Sequence, residues 1–282
     1  MDHLSVLPVS FFPLLASGEM SAEQWARMGK KYGLSYVDLP SWAIKNHTPA
    51  YLRRQKYLLD TIGIRVGSIG THSDLTNPDR IQRRRELDYL RYDIALASEL
   101  GAGYVRVTDG QFHPGLEVEQ GLDYISEGLR GAAEAAKEYG VTLGVENHGF
   151  PSAWIYDDFS HDLFVFQKLM IRLKETGVGI NFDSANATGC GADAAELLRD
   201  VYDLVVSVHI ADTVSDRTTV HTALGAGICP IKEVLSILYN KGFTGLISIE
   251  EDSKSGEAGV FQAVEHVRGI WNSFIPHCIC QV

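Results

Sequence analysis

The sequence has few of the features that mark a secreted, membrane-bound or disulfide-stabilised protein. Its four cysteines fit neither a zinc-binding spacing nor a disulfide framework, which indicates a reducing compartment. No apolar run approaches the about 20 residues that span a bilayer. The start, Met1-Asp2-His3, lacks the basic region of a secretory signal. We therefore expect a cytoplasmic protein without a membrane partner.

An excess of basic residues is also missing. The chain has 25 Lys and Arg against 36 Asp and Glu, which gives a formal net charge of −11. Nucleic-acid binding usually requires a basic stripe on the surface. The nearest candidate, Arg83-Arg84-Arg85, sits on a predicted helix beside Glu86 and Asp88, and we interpret it as a solvated helix face. No nucleic-acid partner is expected.

Apolar runs alternate with amphipathic segments about eight times along the 282 residues. Predicted strands lie near residues 4–10, 35–40, 64–70, 103–108, 141–147, 178–183, 204–210 and 245–251. Predicted helices lie near residues 21–32, 49–62, 78–100, 119–139, 160–176, 192–203, 230–241 and 257–274. Strand–helix alternation without a linker predicts an α/β fold, a closed (β/α)8 TIM barrel. We expect a single domain over residues 1–282, with a C-terminal tail from about residue 275 to 282.

Four apolar runs in the second half of the chain end in a side chain that binds metals. These endings are Glu146, Asp183, His209 and Glu250. A charged group beside a core is costly without a partner, and four at the same end of a barrel suggest one shared partner. Three carboxylates and one imidazole suit one divalent cation, most of all Mn²⁺, with Mg²⁺, Co²⁺ or Zn²⁺ as alternatives. The competing interpretation is a set of salt bridges at the barrel mouth.

A metal at this position predicts chemistry beside a carbonyl group. The ion would polarise a substrate carbonyl and stabilise an enediolate, while a glutamate beside it removes the neighbouring proton. With Glu146 and Glu250 on opposite faces of the carbon, one removes the proton and the other returns it. The result is epimerisation, or aldose–ketose isomerisation if the proton moves between carbons.

Further polar residues near predicted strand ends are candidates for the site. His148, two residues after Glu146, points to the same face if the strand continues, and it is a candidate second base or a loop cap. His72 and His113 follow the third and fourth strands and are candidate substrate contacts. Arg106 would contact substrate if its place in the alternation turns it to the lumen.

Aromatic residues also follow two of the predicted strands. The segment 150–159 is rich in aromatic residues and includes Trp154, and Trp42 follows the second strand. Trp42 and Trp154 are candidates for stacking on a sugar ring. Burial of these aromatic residues against a neighbouring subunit is the alternative.

Several motifs, in their order along the chain, resemble the xylose-isomerase-like TIM-barrel superfamily, often called sugar phosphate isomerases/epimerases. The resemblance covers essentially the whole chain, and its motifs are Gly144–Gly149, Asn181–Asp183, Val208–Asp212, Leu224–Gly227 and Gly242–Gly245 leading to Ile249-Glu250. It implies Glu146, Asp183, His209 and Glu250 as metal ligands. It also implies that Glu146 and Glu250 are the acid/base pair of the ketose 3-epimerase members.

The chain departs from those epimerases at positions that contact substrate. Asn186 stands where they have a substrate-binding histidine, and Ser215 stands where they have an arginine. His221 matches a histidine of the related apurinic endonucleases, whereas Thr219 replaces an aspartate of theirs. We treat Asn186 and His221 as candidate substrate contacts.

The leading hypothesis is a divalent-metal-dependent isomerase or epimerase of a sugar or keto-sugar. A related branch, the C-glycoside deglycosidases, implies an alternative: a lyase that eliminates the aglycone from 3-oxo-glycosides, with His148 as base. A non-catalytic sugar-binding protein is the third hypothesis. The expected partner is a small carbohydrate. The expected assembly is a homo-oligomer, or a hetero-oligomer with a second subunit if the lyase hypothesis holds.

Overall fold

The computed structural model describes residues 1–149 and 154–276. Eight parallel strands form one sheet. They are β1 (Leu4–Leu7), β2 (Tyr36–Pro40), β3 (Arg65–Gly70), β4 (Tyr104–Val107), β5 (Thr142–Glu146), β6 (Gly179–Asp183), β7 (Val205–Ile210) and β10 (Leu246–Glu250). Their order in the sheet is β1-β10-β7-β6-β5-β4-β3-β2. The first and last strands of that order, β1 and β2, also lie side by side, so the sheet nearly closes into a barrel.

Helices surround this sheet. They are α1 (Phe12–Ser17), α2 (Ala22–Lys31), α3 (Pro49–Ile62), α4 (Arg80–Leu100), α5 (Val118–Tyr139), α6 (Leu163–Leu173), α7 (Ser184–Gly189), α8 (Ala194–Val201), α9 (Ile231–Asn240) and α10 (Gly256–Asn272). A short hairpin, β8 (Asp212–Thr213) with β9 (His221–Thr222), follows β7. The predicted TIM barrel is confirmed, and each predicted strand and helix has a counterpart. The short helices α1 and α7 and the hairpin were not predicted.

Aspartate side chains set the start of four helices, α4, α6, α7 and α8. Asp79 accepts hydrogen bonds from the backbone N–H groups of Ile81 and Gln82, so α4 begins at Arg80 rather than at the predicted residue 78. Asp162 and Asp193 cap α6 and α8 in the same way, and these helices also begin two or three residues later than predicted. An N-cap of this kind satisfies amide groups that have no partner within the helix.

The barrel interior below the mouth is polar. Asp38 of β2 is fully buried and accepts hydrogen bonds from the Ser5 hydroxyl at 2.9 Å and from the Ser68 backbone N–H at 2.9 Å. Ser207 of β7 donates to Asn181 of β6 at 2.6 Å. The Asp38 contacts join β2 to its neighbours β1 and β3, and the Ser207 contact joins β7 to β6 two residues before Asp183 and His209. Within the described residues, no helix is long and apolar enough to cross a membrane.

Asp109, just after β4, carries a testable pH dependence. Burial, together with the nearby Asp158 carboxylate, raises the pKa of Asp109 to about 7. A folded-state pKa above the unfolded value means that the folded protein binds this proton more tightly, so stability falls as the pH rises from about 4 to about 7. The shift of about three pKa units corresponds to at most about 4 kcal/mol.

We expect Asp109→Asn to remove most of this dependence, because an amide cannot ionise. Urea unfolding at pH 5 and at pH 8 measures the effect. The wild type should lose more stability between the two pH values than the variant does. Equal losses in both proteins would show that Asp109 titrates normally.

Candidate metal centre and substrate cavity

Four neighbouring strands bring the predicted ligands together at one end of the barrel. Glu146 ends β5, Asp183 ends β6, His209 lies near the end of β7, and Glu250 ends β10. One ligand atom from each lies within 4.8 Å of the others. The Nδ1 atom of His209 is 2.9 Å from Glu146 Oε1, 3.0 Å from Glu250 Oε2 and 4.0 Å from Asp183 Oδ2. The register that pairs Asp183 with His209 places these ends level with one another.

The donor set fits a divalent cation. Among the described residues, the buried Asp183 Oδ2 has no hydrogen-bond partner, and Glu146 Oε2 has only the ion pair with Arg106 at 3.1 Å. Asp183 itself is held in place, because its Oδ1 accepts from the Asn186 backbone N–H at 2.6 Å and its own N–H donates to Asn147 Oδ1 at 2.7 Å. Buried anionic oxygens without donors are costly, and a cation with oxygen and nitrogen ligands would compensate them.

The pKa values reflect the crowding of negative charge. Burial and repulsion from Glu250 and Glu146 raise the pKa of Asp183 to about 7. Burial alone would lower the pKa of His209, but contact with Glu146 and Glu250 outweighs it and raises the pKa well above its ordinary value. The protonated imidazole therefore supplies the positive charge that the three carboxylates require.

Arg106 of β4 faces the lumen and contacts Glu146. Its Nε lies 3.1 Å from Glu146 Oε2, and its Nη1 donates to the Thr71 carbonyl at 2.7 Å. Burial would raise the pKa of Glu146, but Arg106 and His209 outweigh it and hold this pKa well below the usual range. Glu146 is fully buried, whereas the Glu250 side chain keeps 15% of its surface exposed. The two glutamates are therefore not equivalent.

A cavity of about 500 Å³ adjoins the four predicted ligands, and Glu250 is the one of them that lines it. Its apolar side is formed by Leu7, Val9, Phe12 and Trp42. Its polar side includes His72, Arg106, His148, Asn186, His221 and Glu250. Burial and the nearby Arg106 lower the pKa of His72 to about 3, so His72 is neutral at pH 7. Five of the seven predicted substrate contacts line this cavity: Trp42, His72, Arg106, Asn186 and His221.

The sixth, Trp154, packs against His72, which lines the cavity. Its ring is 5.9 Å from the His72 ring, and its Nε1 donates to Asp158 Oδ1 at 2.9 Å. The other carboxylate oxygen of Asp158 is 2.5 Å from His148 Nδ1. Burial lowers the pKa of His148, but Asp158 more than compensates and raises it to about 9. Residues 150–153 of the predicted aromatic lid lie outside the described residues, as do residues 277–282 of the predicted tail.

The seventh candidate, His113, does not border the cavity. Its Nε2 lies 2.9 Å from Asp74 Oδ2, and its ring packs edge-on against Tyr156 at 5.5 Å. Asp74 also accepts from the Gln111 backbone N–H at 3.2 Å and from Asn77 Nδ2 at 3.0 Å. His113 therefore fastens the loop after β4 to the loop after β3.

Thr219 borders the cavity, but the sequence did not single it out as a substrate contact. Its Oγ1 is buried and has no hydrogen-bond partner within residues 1–149 and 154–276. A Cβ atom on Gly149 or Gly189 would lie 2.8 or 2.6 Å from this oxygen, so the two glycines leave room for it. In the sequence, Gly149 and Gly189 are the signal that another part of the chain, here Thr219, comes close to the backbone at these positions.

The segment that carries Thr219 and His221 is anchored by one carboxylate. Asp212 Oδ1 accepts from the Cys229 backbone N–H at 3.0 Å, and Oδ2 accepts from those of Gly225 at 2.9 Å and Gly227 at 3.0 Å. This contact explains the Leu224–Gly227 motif, because the chain must come close to a buried carboxylate.

We expect Asp212→Asn to lower the free energy of unfolding by roughly 2–4 kcal/mol, because an amide nitrogen cannot accept the hydrogen bonds of one oxygen and leaves buried N–H groups unpaired. Asp216→Asn, an exposed position on the same segment, is the matched control. Chemical denaturation measures both. Equal stability of the two variants would contradict the anchoring role.

A family model described as xylose isomerase-like TIM barrel matches residues 26–270. The chain belongs to this family. Solved structures with the same fold include a D-tagatose 3-epimerase-like protein, with 20% identity, a TM-score of 0.77, and 96% of this chain and 98% of that chain covered. The 3-keto-D-glucoside 4-epimerase YcjR from E. coli has 16% identity, a TM-score of 0.76, and coverage of 95% and 100%.

A third structure, the IOLI protein, contains a bound zinc atom. It has 16% identity, a TM-score of 0.78, and coverage of 97% of this chain and 99% of that chain. At these identities the likeness establishes the shared fold. No curated protein matches the sequence significantly.

Proposed function

We propose that this barrel is a divalent-metal-dependent epimerase or isomerase of a sugar or keto-sugar. The observation that carries the proposal is the set of Glu146, Asp183, His209 and Glu250, which adjoins a cavity of about 500 Å³ through Glu250. Several structural neighbours are named as sugar epimerases, and a neighbour with bound zinc is consistent with a metal in this fold. Three carboxylates and one imidazole make Mn²⁺ the first candidate.

When bound, the ion would polarise a substrate carbonyl and stabilise the negative charge that forms on it. Glu250 is the ligand glutamate that borders the cavity, so we assign it the removal of the neighbouring proton. Glu146 would return a proton on the opposite face. Arg106 contacts Glu146, lines the cavity and holds the Glu146 pKa low, so this contact must loosen before Glu146 can carry a proton and return it. His148, which also borders the cavity, is the other candidate for this step.

The charges around the cavity favour an uncharged substrate. Arg106 is paired with Glu146, and His148 is paired with Asp158. Lys254 borders the cavity beside the carboxylate of Asp252, which offsets its charge. A phosphate group would therefore meet no uncompensated cation among the described lining residues. We propose an unphosphorylated sugar.

Solvent exchange tests the proposed reaction. The purified protein with Mn²⁺ is incubated in D₂O with a panel of ketoses and 3-oxo-glycosides and followed by proton NMR. We expect deuterium at the carbon beside the ketone without loss of a leaving group, and no exchange after chelation with EDTA. Exchange with none of the sugars would contradict the proposal.

The lyase hypothesis remains the second candidate because of the cavity's apolar side. Phe12 and Trp42 pack edge-to-face at 5.1 Å and could hold an apolar aglycone. The same NMR experiment separates the two reactions. Exchange only with 3-oxo-glycosides, together with release of the aglycone, would decide for the lyase.

A further inference from the structure

We propose that Asp158 is a positioning residue, which holds His148 by Nδ1 so that Nε2 faces the cavity and contacts an oxygen of the bound sugar. The inference rests on the proposed function only in taking a sugar as the ligand. Asp158 belongs to the loop between β5 and α6, and it is not one of the site residues predicted from the sequence.

The contact between the two side chains is close and directional. His148 Nδ1 lies 2.5 Å from Asp158 Oδ2. Because the two ring nitrogens point to different sides of the imidazole, a fixed Nδ1 also fixes the direction of Nε2. The His148 side chain keeps 14% of its surface exposed and borders the cavity, whereas Asp158 is fully buried. The carboxylate therefore lies behind the imidazole as seen from the cavity.

Trp154 fixes the carboxylate in turn. Its Nε1 donates to Asp158 Oδ1 at 2.9 Å, so each carboxylate oxygen has a ring N–H or ring nitrogen as partner. The Trp154 and His148 rings both lie edge-on to His72, at 5.9 and 6.3 Å between centroids. Trp154, Asp158 and His148 thus form a continuous support for one wall of the cavity. Trp154 therefore supports this wall of the cavity and is not only part of the predicted aromatic lid.

A second Asp–His pair in the same barrel shows what a purely structural pair looks like. Asp74 contacts His113, but it also accepts from Thr76, Asn77 and Gln111, and so it cross-links two loops. His113 does not border the cavity. The Asp158 carboxylate instead contacts two rings of its own segment. His148 lines the cavity, and Trp154 packs against His72, which also lines it. This difference favours a role in binding over a role in joining loops.

Histidine NMR tests the geometry without any need for turnover. Protein labelled with ¹⁵N-histidine is studied with Mg²⁺ and xylitol as the probe, and His148→Gln assigns the resonances. We expect xylitol to shift the Nε2 resonance of His148. Asp158→Asn should change the Nδ1 resonance and abolish the xylitol shift, while the matched control Asp74→Asn leaves both as in the wild type. An Nε2 resonance that xylitol does not move, or one that Asp158→Asn leaves unchanged, would overturn the proposal.

A double-mutant cycle tests the consequence for turnover with the sugar identified by solvent exchange. We expect Asp158→Asn to lower kcat by about 10- to 100-fold with little change in KM. It should have no further effect in the His148→Gln background, because it acts through His148. A merely structural aspartate would give the same fold loss in both backgrounds, and that result would reject the positioning role.

Trp154→Phe keeps the proposal testable if Asp158→Asn does not fold. It removes only the N–H donor, and we expect a loss of several-fold in kcat that disappears in the His148→Gln background. If no sugar is turned over, the proposed function fails, and the NMR result still decides the role of Asp158.

Discussion

Glu250→Gln is expected to lower kcat by at least about 10³-fold while the barrel remains folded. Glu250 is the ligand glutamate at the cavity, and an amide can neither accept the substrate proton nor supply the negative charge that binds the cation. The loss of charge should also weaken Mn²⁺ binding by more than about tenfold. Steady-state kinetics and calorimetric titration with Mn²⁺ measure these two effects.

Stability separates this result from unfolding. Repulsion from Glu250 contributes to the raised pKa of Asp183, whereas contact with His209 lowers the pKa of Glu250 itself, so the substitution removes one repulsion and one attraction. We therefore expect the metal-free variant to unfold cooperatively, at a urea concentration close to that of the wild type. Glu265→Gln on the outer helix α10 is a control for charge loss and should change neither kinetics nor binding. Full activity of Glu250→Gln would remove the proposed site.

The barrel and the grouping of the four candidate metal ligands could be predicted because they depend on strands. A run such as Leu246–Glu250 is apolar except for Ser248 up to its last residue, and the parallel topology brings all such endings to one rim. Glu146, Asp183 and His209 follow the same rule. The sequence thus locates a ligand whenever a regular strand ends at it.

Residues on loops could not be predicted in this way. Asp158 and Thr219 lie in irregular segments, where no periodicity relates position to direction. His113 shows this limit. It follows β4 as His72 follows β3, but the loop brings it to Asp74, and it does not line the cavity as His72 does. The short helix α7 depends on the Asp183 carboxylate, which caps it, and this tertiary setting is not visible in helix propensity.

Arg106 illustrates a further limit. The alternation of β4 gave two possible directions for its side chain, and the lumen direction is the one that the structure shows. Its partner, Glu146, lies on the neighbouring strand, with Arg106 paired to Gly144 in the register. A single sequence does not give this register. The inequality of the two glutamates therefore emerged only from the structure.

Binding of the cation is expected to release protons, with an apparent affinity that rises with pH. In the metal-free protein the pKa of His209 is raised well above its ordinary value, and that of Asp183 is raised to about 7. A metal ligand must be deprotonated. The ion therefore displaces the His209 proton at pH 7. Near and below pH 7 it also displaces a proton from the molecules in which Asp183 is protonated. Each released proton contributes about tenfold in affinity per pH unit.

The same shift gives the sign of the stability change in the metal-free protein. Because the His209 pKa is higher in the folded state, the stabilisation is present below its unfolded pKa and is lost as the pH rises through the folded value. Mn²⁺ should therefore stabilise the barrel most at alkaline pH, where the carboxylates have lost the imidazolium charge. Titrations of Mn²⁺ in two buffers of different ionisation enthalpy count the released protons. A heat that is independent of the buffer at pH 7, with equal affinity at pH 6 and pH 8, would show that His209 carries no proton before the cation binds.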